Sequence, residues 1–364
     1  MPVANQLTNQ AVKAASLDPR KIPFGKIFNP HFFVADYADG KWGEGKVATL
    51  ESFSLHPGTL TLHYAQEIFE GLKAFVQPDG GVALFRPGMN ARRFQASADR
   101  MQMPRVEESV FIGAIQQLVR ADFEYIPRYP GSLYVRPVMF GTQPYIGVAS
   151  SHEFVFCVIT LPAGTYFPDL QAGAGAVTVL LCETVVRASR GGTGNIKAGA
   201  NYAITLQVTS RAAGRGCSQV LFLDSTPGQR VEELGGMNVL FVEDGRLVTP
   251  PLNDTILPGV TRDSVLVLAQ EMGLIVREYA YPLAELVDGI RSGRITEAMT
   301  CGTAAVVTGI RSFQREDGSA LPVGEGKAPG PIASALFEKL QGIQYGRLPD
   351  GHGWLLHVDG VQVP

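Results

Sequence analysis

Residues 189–203 read Ser-Arg-Gly-Gly-Thr-Gly-Asn-Ile-Lys-Ala-Gly-Ala-Asn-Tyr-Ala. One lysine, Lys197, sits among glycines at 191, 192, 194 and 199. Lysine is ordinarily a solvated surface residue. Glycine has no Cβ, so a bulky group can approach its main chain closely. An amine held away from water loses proton affinity and attacks carbonyl carbons. Lys197 is therefore a candidate Schiff-base lysine, and its glycines are expected to let a ligand lie against the backbone. The plain alternative is a glycine-rich turn with a surface lysine.

Two nucleotide readings of this stretch fail. A phosphate loop needs Gly-Lys-Ser/Thr, but Ile196 precedes the lysine and Ala198 follows it. A dinucleotide fold needs an acidic residue on a second strand at the expected distance, and none follows. Elsewhere, Leu257-Pro-Gly-Val-Thr-Arg-Asp263 opens a helix straight after a turn, where free N–H groups bind phosphate. Val231-Glu-Glu-Leu-Gly-Gly-Met-Asn238 sets two carboxylates beside a glycine pair. A carboxylate buried there can pair with a protonated pyridine nitrogen. A solvated acidic turn is the other reading.

The 364 residues suffice for two domains and a large core. A net charge of −3 without a basic block gives nucleic-acid binding no electrostatic support. Cys157, Cys182, Cys217 and Cys301 form no CxxC pair and are expected to be buried reduced thiols. The six histidines show no metal-binding spacing, so no metal is expected. Residues 1–10 lack the pattern of a secretory signal, and the first arginine is Arg20, which argues against a transit peptide. No apolar run approaches the ~20 residues of a membrane helix. The expected location is the cytoplasm.

Strand and helix signals are interspersed without regular βαβ alternation, which predicts an α+β fold. Pro78-Asp-Gly-Gly81 predicts a hairpin between 72–77 and 82–85. Asn90 is expected to cap a helix over 91–101, and Phe111, Ala114, Ile115 and Leu118 mark a helix over 108–121. Strands are expected over 133–140, 153–161, 177–186, 276–281 and 297–312, with a hairpin around Asp244-Gly245. Helices are expected over 202–213, ended by Gly214, over 262–272, closed by Gly273, and after Pro331. The Pro- and Gly-rich stretch 162–175 is the expected domain boundary. It divides a smaller domain, 1–163, and a larger one, 175–364, joined by loop 164–174, with the active site between them.

Further stretches carry a resemblance. They are Tyr64-Ala-Gln-Glu-Ile-Phe-Glu-Gly-Leu-Lys-Ala-Phe75, Phe85-Arg-Pro-Gly-Met-Asn-Ala-Arg-Arg93, Ser132-Leu-Tyr-Val-Arg-Pro137 and Gly342-Ile-Gln-Tyr-Gly346. With Lys197 and Tyr202, this ordered set resembles the branched-chain amino acid aminotransferases, fold-type IV pyridoxal phosphate enzymes. The resemblance runs from about Phe24 to the C-terminus. It implies a two-domain architecture like that of D-amino acid aminotransferase. It also implies amino transfer between L-leucine, L-isoleucine or L-valine and 2-oxoglutarate, in a ping-pong cycle.

The resemblance also assigns roles. Lys197 holds pyridoxal 5'-phosphate and later carries a proton between Cα and the cofactor. Glu233 partners the pyridine nitrogen, Tyr202 the ring's phenolic oxygen, and Arg93 the phosphate, while Arg92 stays solvated. Val260 and Thr261 complete the phosphate cup, with Thr303 nearby. Phe24, Tyr64, Phe69, Tyr134 and Tyr166 form the apolar substrate wall. The N–H groups of Thr303 and Ala304 take the α-carboxylate, and Arg136 takes the side-chain carboxylate of glutamate. The loop over 143–150 reaches a partner subunit, implying a homodimer. Two departures stand out. Gly236 replaces a threonine of animal relatives, and Ala305 and Thr308 stand where those relatives carry a CxxC redox pair. The alternatives are another fold-type IV enzyme, a D-amino acid transaminase or an aminodeoxychorismate lyase, and a non-catalytic phosphate-binding protein.

Overall fold

The computed structural model describes residues 12–167, 175–324, 326 and 329–363. The start of the chain and most of the expected interdomain loop, 168–174, lie outside them. Eight strands come first: β1 (His31–Ala38), β2 (Lys41–Trp42), β3 (Lys46–Thr49), β4 (Glu67–Phe69), β5 (Leu72–Val76), β6 (Val82–Phe85), β7 (Ser132–Gly141) and β8 (Phe154–Ala163). Three helices interrupt them: α1 (Leu60–Tyr64), α2 (Pro87–Arg100) and α3 (Glu108–Ala121). The second run of strands is β9 (Ala176–Cys182), β10 (Gln219–Leu223), β11 (Val231–Leu234), β12 (Asn238–Glu243), β13 (Arg246–Thr249), β14 (Val276–Glu278), β15 (Ile295–Gly302), β16 (Val306–Gln314) and β17 (Ala320–Pro322). Among these lie α4 (Ala200–Ala203), α5 (Leu206–Ala213), α6 (Val260–Glu271) and α7 (Leu283–Arg291), and α8 (Pro331–Gln344) follows. Near the C-terminus, β18 (Leu355–His357) returns to pair with β6 in the first sheet.

The first sheet runs β18-β6-β5-β7-β8-β1-β2, and all its pairs are antiparallel. The second runs β11-β10-β9-β16-β15-β12-β13-β14 and is mixed. This is the expected α+β class. No helix among the described residues is long and apolar enough to cross a membrane.

Period-two alternation positions the site. In β5, Leu72, Ala74 and Val76 pack into the core beneath α2 and α3. The intervening Lys73 and Phe75 therefore face the other way, and Phe75 joins a core shared with β12, β15, α6 and α8 of the second half. Burying such a phenylalanine stabilises the join by roughly 1.5–3 kcal/mol. Lys73 pairs directly with Tyr134 of β7, so both side chains share the face turned toward the second half.

The hairpins at 78–81 and 244–245 and helix α3 form where expected. Several boundaries differ. Asn90 lies inside α2, not at its cap, and its amide is committed to Glu70 and Gly71. The expected helix 202–213 breaks into α4 and α5, and the Thr205 hydroxyl donates to the Tyr202 carbonyl at the break. Gly214 keeps right-handed helical geometry, and Gly216 takes the left-handed turn. The expected strand 297–312 is two antiparallel strands, β15 and β16, folded back at Thr303-Ala304-Ala305. That turn carries no glycine or proline signal, and it lies at the site.

Candidate active site

Lys197 lies in the segment leading into α4. Its backbone is held across the two halves: Phe69 N–H donates to Lys197 O at 3.0 Å, and Lys197 N–H donates to Ser97 Oγ at 3.0 Å. The Lys197 amine donates to Tyr202 Oη at 2.8 Å and stands 4.8 Å from the Phe69 ring centroid. A single cavity gathers Arg93, Lys197, Tyr202, Glu233, Val260, Thr261 and Thr303. It encloses about 470 Å³, open solvent at its mouth included.

The glycines beside Lys197 have a different role from the expected one. A Cβ on Gly199 would fall 1.6 Å from Glu67 Oε1, and one on Gly194 would fall 2.6 Å from Thr255 Cα. Those two are small because protein packs against them. The cavity itself is lined by Gly235, Gly236, Gly259 and Gly302. Gly236 leaves room for a Cβ, with Tyr202 Cε1 the nearest atom at 3.5 Å.

Glu233 is no solvated turn residue. It is 3% exposed on β11, and Arg187 approaches its Oε1 at 2.6 Å. Asn238 Nδ2 donates to Oε2 at 2.9 Å, and Leu257 N–H donates to Oε1 at 3.1 Å. Burial pushes the Glu233 carboxyl up to about 7, against the pull of the Arg187 guanidinium and the Leu257 N–H. Glu232 is also buried. Desolvation pushes it up to about 7, and its Oε2 has no partner among the described residues.

Arg93 is 9% exposed. Its Nε and Nη2 donate to the two oxygens of Glu70 at 2.6 and 2.8 Å, and Nη1 donates to Pro258 O at 2.9 Å. Burial alone would raise the Glu70 carboxyl, but the Arg93 charge and hydrogen bonds hold it below the ordinary range. Guanidinium has five N–H donors, so two remain for an anion. Helix α6 opens at Val260, and its first N–H groups are unpaired among the described residues. Arg92 is exposed and pairs with Glu108 at 3.3 Å.

The substrate wall forms in part. Phe24 packs edge-on against Tyr134 at 5.0 Å and Tyr166 at 5.4 Å. Arg136 Nη2 donates to Tyr134 Oη at 3.1 Å, its guanidinium lies over Phe69 at 4.6 Å, and its Nε is buried without a partner among the described residues. Phe69 packs on Tyr202 at 4.9 Å, which joins this wall to the lysine. Ala304 and Tyr166 line a neighbouring cavity with Lys73. Tyr64 stays apart: it is 42% exposed, and the ring beside it is His63. The cysteines are buried and free, and the Thr308 hydroxyl donates to Ala305 O at 3.0 Å.

Sequence reasoning missed Glu70, Arg187, Asn238 and Lys73. Glu70 had a signal, as a carboxylate set directly between Phe69 and Gly71-Leu72. Arg187 had a weaker one, as a cation directly after the expected strand 177–186.

A buried cation with two spare donors, a free helix N-terminus, an amine and a buried carboxylate share one cavity. That donor set fits a phosphorylated pyridine aldehyde, with separate partners for phosphate, aldehyde and ring nitrogen. Known proteins point the same way. The family model for class IV amino-transferases matches residues 67–313. The branched-chain-amino-acid aminotransferase of Mycolicibacterium smegmatis is 42% identical over 343 residues, covering 92% of both chains. Branched-chain-amino-acid aminotransferase 2 of Bacillus subtilis is 38% identical over 350 residues, covering 96% of this chain and 95% of the relative. The T.th. branched-chain amino acid aminotransferase, solved with N-(5'-phosphopyridoxyl)-L-glutamate, superimposes with a TM-score of 0.72 at 25% identity, over 89% of this chain and 98% of that one. With the family model spanning most of the chain, and with Arg93, Lys197 and Glu233 in one cavity, the chain belongs to the class IV amino-transferase family.

Proposed function

We propose that the protein is a pyridoxal-phosphate-dependent transaminase. It moves the amino group between L-leucine, L-isoleucine or L-valine and 2-oxoglutarate, in two half-reactions on one site. The observation that carries this reading is the cavity in which Arg93, Lys197, Tyr202 and Glu233 converge. Relatives of 37–42% identity that bear this activity's name support the substrate class.

Pyridoxal phosphate supplies an aldehyde for the amino group and a ring that accepts electrons as Cα loses its proton. The residues divide the remaining work. The Lys197 amine anchors the cofactor and then carries the Cα proton, with Tyr202 Oη orienting it. Glu233 keeps a proton on the ring nitrogen, and Arg187 keeps Glu233 ionised. Arg93 and the N–H groups of Val260 and Thr261 hold the phosphate, beside Thr303. Phe24, Phe69, Tyr134 and Tyr166 enclose the aliphatic side chain, Tyr64 joins them only where a second copy covers it, and Arg136 takes the distal carboxylate of glutamate. The Thr303 and Ala304 N–H groups have no partner among the described residues and take the α-carboxylate.

We also propose a homodimer. Leu62, Tyr64, Tyr145, Ile146 and Val148 are all exposed, and Val148 reaches 93%. Helix α1 and the loop after Gln143 are hydrogen-bonded together, through Leu60 N–H to Gln143 O and Tyr145 N–H to Gly58 O, so they move as one surface. A second copy covering it would enclose Tyr64. We propose the division into domains 1–163 and 175–364, which the two separate sheets support, apart from the returning β18. Buried unpaired thiols suit a reducing cytoplasm.

The test is glutamate formation from 2-oxoglutarate with each branched-chain L-amino acid, beside D-alanine. Turnover of the L-amino acids alone supports the proposal. Preference for D-alanine indicates a D-amino acid transaminase, and bound cofactor without transfer indicates a lyase.

A further inference from the structure

Unlike the half-buried Lys197, Lys73 is a buried lysine, and the catalytic scheme leaves it unused. It is 6% exposed on β5, and no carboxylate pairs with it among the described residues. Its amine donates to a single described acceptor, Ala304 O, at 3.2 Å. Two residues earlier on the same face, Gly71 O accepts from Thr303 Oγ1 at 3.1 Å. One short stretch of the first sheet thus grips two consecutive residues of the β15–β16 turn. Gly71 is also tied back to the phosphate side, since its N–H donates to Glu70 Oε2, which is bonded to Arg93.

The turn needs holding. Val306 closes it at φ +58°, a left-handed conformation unfavourable for a β-branched residue. Thr303 lines the cofactor cavity, while Ala304 and Lys73 line the neighbouring one, so the turn forms the wall between them. The Ala304 carbonyl is in one peptide plane with the Ala305 N–H, so holding it fixes the end of the turn and limits how far the preceding peptides, which carry the Thr303 and Ala304 N–H groups, can rotate. Burial draws the Lys73 amine down to about 8, so it is still largely charged at neutral pH. A charged donor holds a carbonyl more firmly than a neutral one.

We propose that Lys73 is a positioning residue for carboxylate recognition: by holding Ala304 O, it keeps the Thr303–Ala304 turn in the shape that presents its N–H groups to the substrate α-carboxylate. This rests on the transaminase reading above. On this proposal Lys73 acts through the turn, by its contact with Ala304 O, and not by binding the carboxylate itself.

The test uses the holoenzyme and two probes measured by calorimetry. One is 4-methylvalerate, which has leucine's side chain and carboxylate but no amine. The other is 4-methyl-1-pentanol, which lacks the carboxylate. Lys73→Met is expected to weaken 4-methylvalerate at least about tenfold and leave the alcohol unchanged. KM for L-leucine should rise more than kcat falls, and the cofactor should stay bound. Lys73→Arg, which restores a charged donor, should recover much of the carboxylate affinity. Should Lys73→Met fail to fold, Lys73→Gln, too short to span the gap, must show the same selective loss. Wild-type affinity for 4-methylvalerate in these variants, or equal loss of both probes, overturns the proposal while the transaminase reading stands. A wild-type holoenzyme that neither binds 4-methylvalerate nor transaminates leucine overturns both.

Discussion

Arg187 Nη2 stands 2.6 Å from Glu233 Oε1, and each side chain is only 4% exposed. The same Nη2 also donates to Gly194 O at 2.9 Å, so this cation ties the Lys197 segment to Glu233, the proposed partner of the ring nitrogen. Removing one member of a buried pair typically costs about 3–5 kcal/mol, because the other charge is stranded. Arg187→Met should destabilise the apoprotein by up to that amount at pH 8. Saturating pyridoxal phosphate should recover part of the loss, since a protonated ring nitrogen supplies a new positive partner. Denaturant unfolding with and without cofactor measures this. Equal losses in both states would contradict the pairing of Glu233 with the ring.

Glu70 is the corresponding support for Arg93, the proposed phosphate ligand. Glu70→Gln leaves Arg93 buried without its carboxylate, and a thermal midpoint lowered by several degrees is expected. Inorganic phosphate should restore more of that midpoint in Glu70→Gln than it adds to the wild type. No differential protection would mean that Arg93 does not face the anion.

On the proposed reading, Arg136 separates the two amino donors. A hydrogen bond to a charged group contributes about 1.5–3 kcal/mol, or roughly 10–100-fold in affinity. Arg136→Met should raise KM for 2-oxoglutarate and glutamate by that factor and change KM for L-leucine little. Steady-state kinetics with both donors decides it, and an equal rise for both would place Arg136 at the α-carboxylate instead.

Glu232 sets a pH dependence of stability. Its folded pKa, about 7, lies above the ordinary 4.5 because burial penalises the charged form. Below about pH 4.5 the group is protonated in both states and costs nothing. As pH rises from 4.5 to 7 the unfolded chain ionises first, so the fold loses stability through that window. Glu232→Gln should therefore raise the thermal midpoint at pH 8, with the gain shrinking toward pH 5. A gain independent of pH would remove ionisation as its cause.

How much of this was legible in the sequence depended on the range of the interactions. Helix α3 and the hairpin at Pro78–Gly81 follow from spacing and turn chemistry within a few residues, and both form as expected. The residues that the family resemblance assigns to the cofactor, among them Arg93, Lys197, Tyr202 and Glu233, line one cavity, and their roles there are part of the proposal. Pairs distant in sequence left no local trace. Arg93 meets Glu70 twenty-three residues away, and Lys73 meets Ala304 two hundred and thirty-one away. The glycines near Lys197 were legible as a need for space but not for what fills it. At 194 and 199 the occupants are Thr255 and Glu67. The turn at 303–305 had no glycine or proline to mark it, so one long strand was expected where two meet.

Lys197, half-buried, and Lys73, buried, both lie near the substrate turn, so the central claim can be tested by asking which of them carries the cofactor. Borohydride reduction of the holoenzyme, followed by proteolysis and mass spectrometry, locates the trapped group. The account predicts a phosphopyridoxyl adduct on Lys197 alone, lost together with visible absorbance in Lys197→Ala. An adduct on Lys73, or none on Lys197 in a protein that still transfers amino groups, would contradict it.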